Sequence, residues 1–224
     1  MISATVRYDV RNRREVVSKG ETTLMKKLSF ITFSMTFLLC LGSTASAQSD
    51  IGSIDAYSKR IDSFIAANKR AVIVIADTSD ATDQDAKAKW QKFASEKALE
   101  KFRDKTEVYD VALNWRRNGK VVASNLTLGS PSGDWAKYVY QYFREDGTLA
   151  KVKVDYRTFM GDLIILQDIY FSPAGKLLKK TSRFEDLTTH KPKKVAKDSY
   201  DPGMLNEVDY YKTTRKLPFA HLVR

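Results

Sequence analysis

Tyr142-Phe143-Arg144-Glu145-Asp146-Gly147-Thr148-Leu149 and Tyr170-Phe171-Ser172-Pro173-Ala174-Gly175-Lys176-Leu177 share tyrosine, phenylalanine, glycine and leucine at a constant offset of 28 residues. Each reads as a β-hairpin. Glu145-Asp146-Gly147 fits a three-residue loop in which Gly147 supplies the positive φ of a bulged turn. Pro173-Ala174-Gly175 fits the same loop in the second copy. Phe143 then faces Leu149, and Phe171 faces Leu177. An uninterrupted ladder sets Tyr142, Tyr140 and Tyr138 opposite Ala150, Val152 and Val154 on an apolar face. Lys151, Lys153, Asp155 and Arg157 fall on the wet face. A two-residue loop would set the tyrosines against Leu149, Lys151 and Lys153. A one-residue slip exchanges the faces, so the apolar match selects the three-residue loop. Two units are too few for a solenoid and indicate two similar hairpins in one sheet.

Before this stretch the period is also two. Tyr109, Val111, Leu113 and Trp115 alternate with Asp110, Ala112, Asn114 and Arg116. Asn118-Gly119 is a strong two-residue hairpin signal. It predicts Trp115 opposite Val122, Leu113 opposite Ser124 and Val111 opposite Leu126. Further upstream, Ile54, Tyr57, Ile61, Phe64 and Ile65 form one apolar helical face between Ser53 and Asn68. Ala71 to Ala76 reads as a short buried strand. Asp83 to Arg103 reads as a second helix with Trp90, Phe93, Ala94 and Phe102 inward. The predicted fold class is α+β: N-terminal helices packed on a curved antiparallel β-meander of about six strands. The globular domain is expected over residues 48–188. Residues 189–224 form a basic, tyrosine-rich C-terminal segment, in which Val208, Tyr210, Tyr211, Leu217, Phe219 and Leu222 either dock or leave a partly ordered tail.

The start of the chain reads as targeting information. Met25-Lys26-Lys27 opens a basic n-region, Leu28 to Leu41 is apolar, and Thr44-Ala45-Ser46-Ala47 supplies the small residues of a cleavage site. A Sec signal peptide is therefore expected over 25–47, with cleavage after Ala47 and a periplasmic or secreted product. Residues 1–24 are polar and patternless and read as a misannotated upstream extension, with Met25 as the expected start. A twin-arginine reading of Arg13-Arg14 is disfavoured because Ser18 to Lys27 separates the pair from the apolar run. Cys40 is the only cysteine and lies inside this segment, with bulky Leu39 before it where a lipidation signal needs a small residue. The mature chain then has no disulfide, thiolate metal site or thiol nucleophile.

The 224 residues carry a formal net charge of +11. Residues 1–47 hold seven basic and three acidic side chains, so the mature charge is +7. For an exported protein a basic surface suggests contact with an anionic membrane or glycan surface or simple solubility. Nucleic acid is not an expected partner in that compartment.

Motifs for chemistry are few. Asp77-Thr78-Ser79-Asp80-Ala81 follows an apolar strand and resembles the D-x-S-x-S adhesion motif of von Willebrand factor A-type domains. That resemblance implies a divalent cation held by oxygen ligands. Asp77 and Ser79 match, whereas Ala81 stands in place of the second serine. The bland alternative is a polar turn. No nucleophile elbow, phosphate loop, dinucleotide fingerprint or zinc-protease motif occurs, and no cofactor is expected. Trp115, Trp135, Tyr138, Tyr140, Tyr142, Tyr156 and Tyr170 fall in the strands. On an open face such residues line a ligand site; in a closed one they are core, since tyrosine is a strong strand former. Lys176, Lys179, Lys180, Arg183, Lys191, Lys193 and Lys194 either form a basic patch beside this face or are ordinary edge-strand lysines that block strand-to-strand aggregation. The functional expectation is a non-enzymatic binding or interaction protein for an apolar or anionic envelope ligand or a protein partner. The alternatives are a small cofactor-free hydrolase using carboxylates and, last, the metal-dependent adhesion domain. No family is recognised across the chain as a whole.

Overall fold

The structure, a computed structural model, describes residues 50–80, 87–195 and 208–224. The expected signal peptide and upstream extension, Ala81 and Asp83 lie outside the described residues.

Eight strands form one open antiparallel sheet. They are β1 (Ile73–Asp77), β2 (Trp90–Phe93), β3 (Val111–Arg117), β4 (Lys120–Gly129), β5 (Trp135–Phe143), β6 (Leu149–Thr158), β7 (Leu163–Phe171) and β8 (Leu177–Asp186). Their spatial order is β2-β1-β3-β4-β5-β6-β7-β8. Helix α1 covers residues 50–67, and α2 covers Glu96–Arg103. The fold is α+β and antiparallel, with eight strands rather than about six. β1 joins the meander beside β3, and β2 extends it outward. The expected helix Asp83–Arg103 is corrected on this point. Trp90 and Phe93 stand at helical spacing, but pairing with β1 holds their segment extended. Helix begins only after Ser95, whose side chain accepts from Ala98 N at 3.2 Å as an N-cap.

The three hairpins share one construction. Asn118 (φ 52) and Gly119 (φ 76) form the two-residue turn between β3 and β4, and Arg117 faces Lys120. Gly147 (φ 84) and Gly175 (φ 75) close the three-residue loops. Phe143 faces Leu149, and Phe171 faces Leu177. Close to the turn each ladder slips by a residue, after two pairs in the first hairpin and after one in the other two, leaving Val122, Ala150 and Leu178 as bulge residues. The expected register beyond that point is therefore overturned. Tyr142, Tyr140 and Tyr138 face Lys151, Lys153 and Asp155, and Trp115 faces Ala123. A bulge adds one residue to one strand only and bends it.

The bulges lie in a row, and α1 packs along that row. Ile61 clusters with Trp115, Val122, Ala123 and Tyr142. Ile54 clusters with Ala150 and Tyr170, with Leu178 beside them. The opposite face holds the largest core cluster, including Val139, Val152, Ile165, Phe143 and Phe171. The apolar cover on this side comes from the C-terminal segment, with Leu217, Phe219 and Val223 buried in the same cluster. That segment is tied down at the first hairpin loop. Thr214 N donates to Gly147 O at 3.0 Å, and Leu149 N donates to Lys212 O at 3.0 Å.

A methyl group on Gly147 would lie 2.8 Å from Thr214 Oγ1, whereas one on Gly175 would meet nothing closer than 3.9 Å. Both glycines are left-handed, which costs an L-residue about 1–2 kcal/mol. Gly147→Ala is expected to lower stability by that amount plus the cost of moving Thr214, and Gly175→Ala by the backbone amount alone. Urea denaturation of the two variants checks this; equal losses would show that the Thr214 contact carries no energy.

Candidate functional site

Side-chain parity sorts the strand aromatics. Residues 138, 140 and 142 of β5 point to the α1 side, together with Trp115 of β3 and Tyr170 of β7. Trp135 and Tyr156 occupy positions of opposite parity and pack against each other on the other face, with ring centroids 5.9 Å apart. The seven candidate aromatics therefore do not form one surface: five share the helix side and two do not.

Three of the five, Trp115, Tyr140 and Tyr142, line a cavity of about 550 Å³ between the C-terminal half of α1 and the sheet. Ile65 and Ala66 bound it from the helix, and Leu166 bounds it from β7. Lys153, Asp155, Asp168 and Arg183 complete its floor and rim. Lys153 and Asp155, expected on a wet outer face, lie on the cavity side because the bulge at Ala150 moves them into register with Tyr140 and Tyr138. Sequence reasoning missed Asp62 and Lys69 as cavity residues, whereas Arg183 belongs to the basic run expected beside the aromatics. Asp62 is exposed and lies one residue, about 100°, round α1 from Ile61, so the apolar stripe carries no signal for it.

Hydrogen bonds hold the walls. Tyr142 Oη donates to Asp62 Oδ1 at 2.7 Å. Burial and the neighbouring Asp62 carboxylate push the Tyr142 phenol well above its ordinary range. Tyr57 Oη donates to the carbonyl of Phe143. Arg144 donates to Leu149 O and Phe171 O, both at 2.6 Å, bridging the two repeated hairpins. Tyr140 remains 38% exposed; burial raises its phenol pKa, and the Asp155 charge adds to the rise.

Beside the cavity Lys151 fixes α1 to the sheet. Its Nζ lies 2.7 Å from Asp55 Oδ1 on α1 and 3.0 Å from Asp168 Oδ1 on β7, and it donates to Tyr170 Oη at 3.1 Å. Tyr170 Oη in turn donates to Asp55 Oδ1 at 3.0 Å. Burial disfavours the Lys151 ammonium, but the bonds to Asp55, Tyr170 and Asp168 outweigh it and raise the pKa. Burial also pushes the Asp55 carboxyl upward, and the bond and charge of Lys151 reverse this, leaving it below its ordinary value.

The Asp77 loop is a separate feature. Asp77 Oδ1 accepts from Ser79 N at 2.9 Å and Lys89 N at 2.7 Å, so its side chain organises the turn. Among the described residues, no group of three or more histidine, cysteine or acidic side chains is arranged to hold a metal ion. Asp110 shares a shallow depression of about 200 Å³ with Asp77 and Glu107. Burial pushes its carboxyl up to about 6, against a backbone hydrogen bond from Gly129 and with the charges of Asp77 and Asp209 adding to the rise.

The cavity thus presents an aromatic wall, a helical cover and a charged rim, a layout suited to holding a molecule. Compared with known proteins, the chain matches no family model, no curated protein and no solved structure.

Proposed function

We propose that the protein is an exported, non-enzymatic binding protein whose ligand site is the cavity between α1 and the sheet. The observation that carries this reading is the wall of Trp115, Tyr140 and Tyr142 opposite Ile65. It encloses about 550 Å³, within the ~300–1,000 Å³ typical of small-molecule sites. Tyr140 is the exposed ring of the three, while Trp115 and Tyr142 are buried with Ile61; aromatic area comes at little conformational cost. The signal-peptide pattern over 25–47 supports export, and an envelope ligand follows from that location.

Of the three tryptophans only Trp115 lines the cavity, so energy transfer to a bound dye is read on it against the background of Trp90 and Trp135. The neutral apolar dye N-phenyl-1-naphthylamine is expected to gain fluorescence on binding and to quench Trp115. Ala66→Trp places an indole into the cavity from an exposed helix position. It is expected to weaken dye binding at least tenfold with the thermal midpoint unchanged. Wild-type dye affinity in Ala66→Trp would remove the cavity as the site.

A second reading, a carboxylate hydrolase, has one observation in its favour, the raised pKa of Asp110. Its depression is shallow and lacks the aromatic wall. Asp110→Asn is expected to leave dye binding intact, which separates the two places on the molecule.

A further inference from the structure

We infer that the cavity selects amphipathic anions, molecules with an apolar chain or ring and a negatively charged head. This rests on the cavity being the ligand site. The rim carries charges of both signs, but they are not equally available. Each carboxylate is already engaged. Asp62 accepts from Tyr142 at 2.7 Å. Asp155 takes a two-pronged contact from Arg157, at 3.0 and 2.8 Å. Asp168 lies 3.0 Å from Lys151. Lys151 and Arg157 do not line the cavity; from outside it Arg157 offsets the Asp155 charge, and Lys151, which also pairs with Asp55, offsets part of the Asp168 charge.

The cations differ. Arg183 faces Glu185 at 3.2 Å, and its side chain stays 65% exposed. Lys69 and Lys153 make no ion pair among the described residues, and both line the cavity. Lys69 arrives from the end of α1, and Lys153 rises from β6 between Tyr140 and Asp168 in the sheet register. Lys69 thus comes from the helix side and Lys153 from the sheet side of a cavity whose apolar lining includes Trp115, Ile65 and Leu166. A head group between them gains charge-assisted contacts, and the chain below it stays dry. A cationic head would meet the same two ammonium groups, with Asp62, bonded only by a neutral phenol, as the one rim carboxylate that no cation among the described residues neutralises.

Three probes with one chain test this: dodecyl phosphate, dodecanol and dodecyltrimethylammonium, each below its micellar concentration or solubility limit and followed by displacement of the dye. Dodecyl phosphate is expected to bind at least tenfold more tightly than dodecanol, and dodecyltrimethylammonium more weakly than either. The gap should shrink in high salt. Lys69→Gln/Lys153→Gln is expected to remove the preference while keeping dodecanol affinity. Lys59→Gln/Lys120→Gln, the same charge change away from the cavity, is expected to keep it. Inorganic phosphate alone should not displace the dye; displacement by it would mean that the head, not the amphiphile, is recognised, and would overturn the inference. Equal affinity for all three probes, abolished by Ala66→Trp, would overturn the anion selectivity and leave the cavity reading standing. No binding of any probe or dye would overturn both.

Discussion

Phe219→Ala is expected to destabilise the protein by about 3–5 kcal/mol, the cost of emptying a fully buried aromatic site. Phe219 is 0% exposed. Its ring lies 4.9 Å from that of Trp90 in an edge-on contact at 62°. Leu217 and Val223 belong to the same cluster as the inward residues of β5, β6 and β7. A short 3-10 turn, Ala220–Leu222, brings them there with little regular backbone structure, so side-chain burial supplies most of the segment's hold. Urea denaturation followed by tryptophan fluorescence measures the loss. Phe159→Ala is the matched control, because Phe159 is 66% exposed and surface changes of this kind usually stay within about 0.5 kcal/mol. A loss below about 1 kcal/mol for Phe219→Ala would show that residues 208–224 are not part of the core.

The second large effect concerns Lys151, whose side chain is 9% exposed between Asp55 at 38% and Asp168 at 25%. Lys151→Met keeps the apolar stem and removes the charge. Breaking a fully buried ion pair typically costs ~3–5 kcal/mol. Both carboxylates here can regain water, so about 2–3 kcal/mol is expected. The pH dependence carries a sign. Asp55 has a folded pKa below its unfolded value, so its contribution is present above the ordinary carboxylate range and is lost as pH falls through the folded value. Wild type should therefore lose stability more steeply than Lys151→Met as pH drops below about 4, and the two denaturation midpoints should converge in acid. Parallel pH profiles would show that Asp55 does not titrate against Lys151.

The loops were the most legible part of the fold. Asn118-Gly119 and the glycines at 147 and 175 have few conformational choices, so local chemistry determines those turns and the pairs beside them. The bulges were not legible. Placing Tyr142 opposite Ala150 made a better apolar match than placing it opposite Lys151, and the preference for apolar neighbours pointed the wrong way. The correct register has a lysine under a helix, which becomes favourable only when Asp55, 96 positions earlier in the chain, reaches its ammonium. No local pattern encodes that partner. The aromatic set was half legible for a related reason. Composition marked all seven residues, but only parity separates Trp135 and Tyr156 from the rest. The strand Trp90–Phe93 was missed because four residues carry too little periodicity to distinguish a helix face from an edge strand.

The row of bulges bears on how this chain tolerates changes in length. Inserting or deleting one residue in an ordinary strand reverses the orientation of every side chain beyond it. At a bulge the extra residue is absorbed on one strand, and its neighbours keep their sides. Removing Ala150 would let Leu149 and Lys151 follow one another as a regular ladder, still opposite Phe143 and Tyr142. The same holds for Val122 and Leu178. These three positions are where related sequences can differ by a residue without turning the sheet inside out.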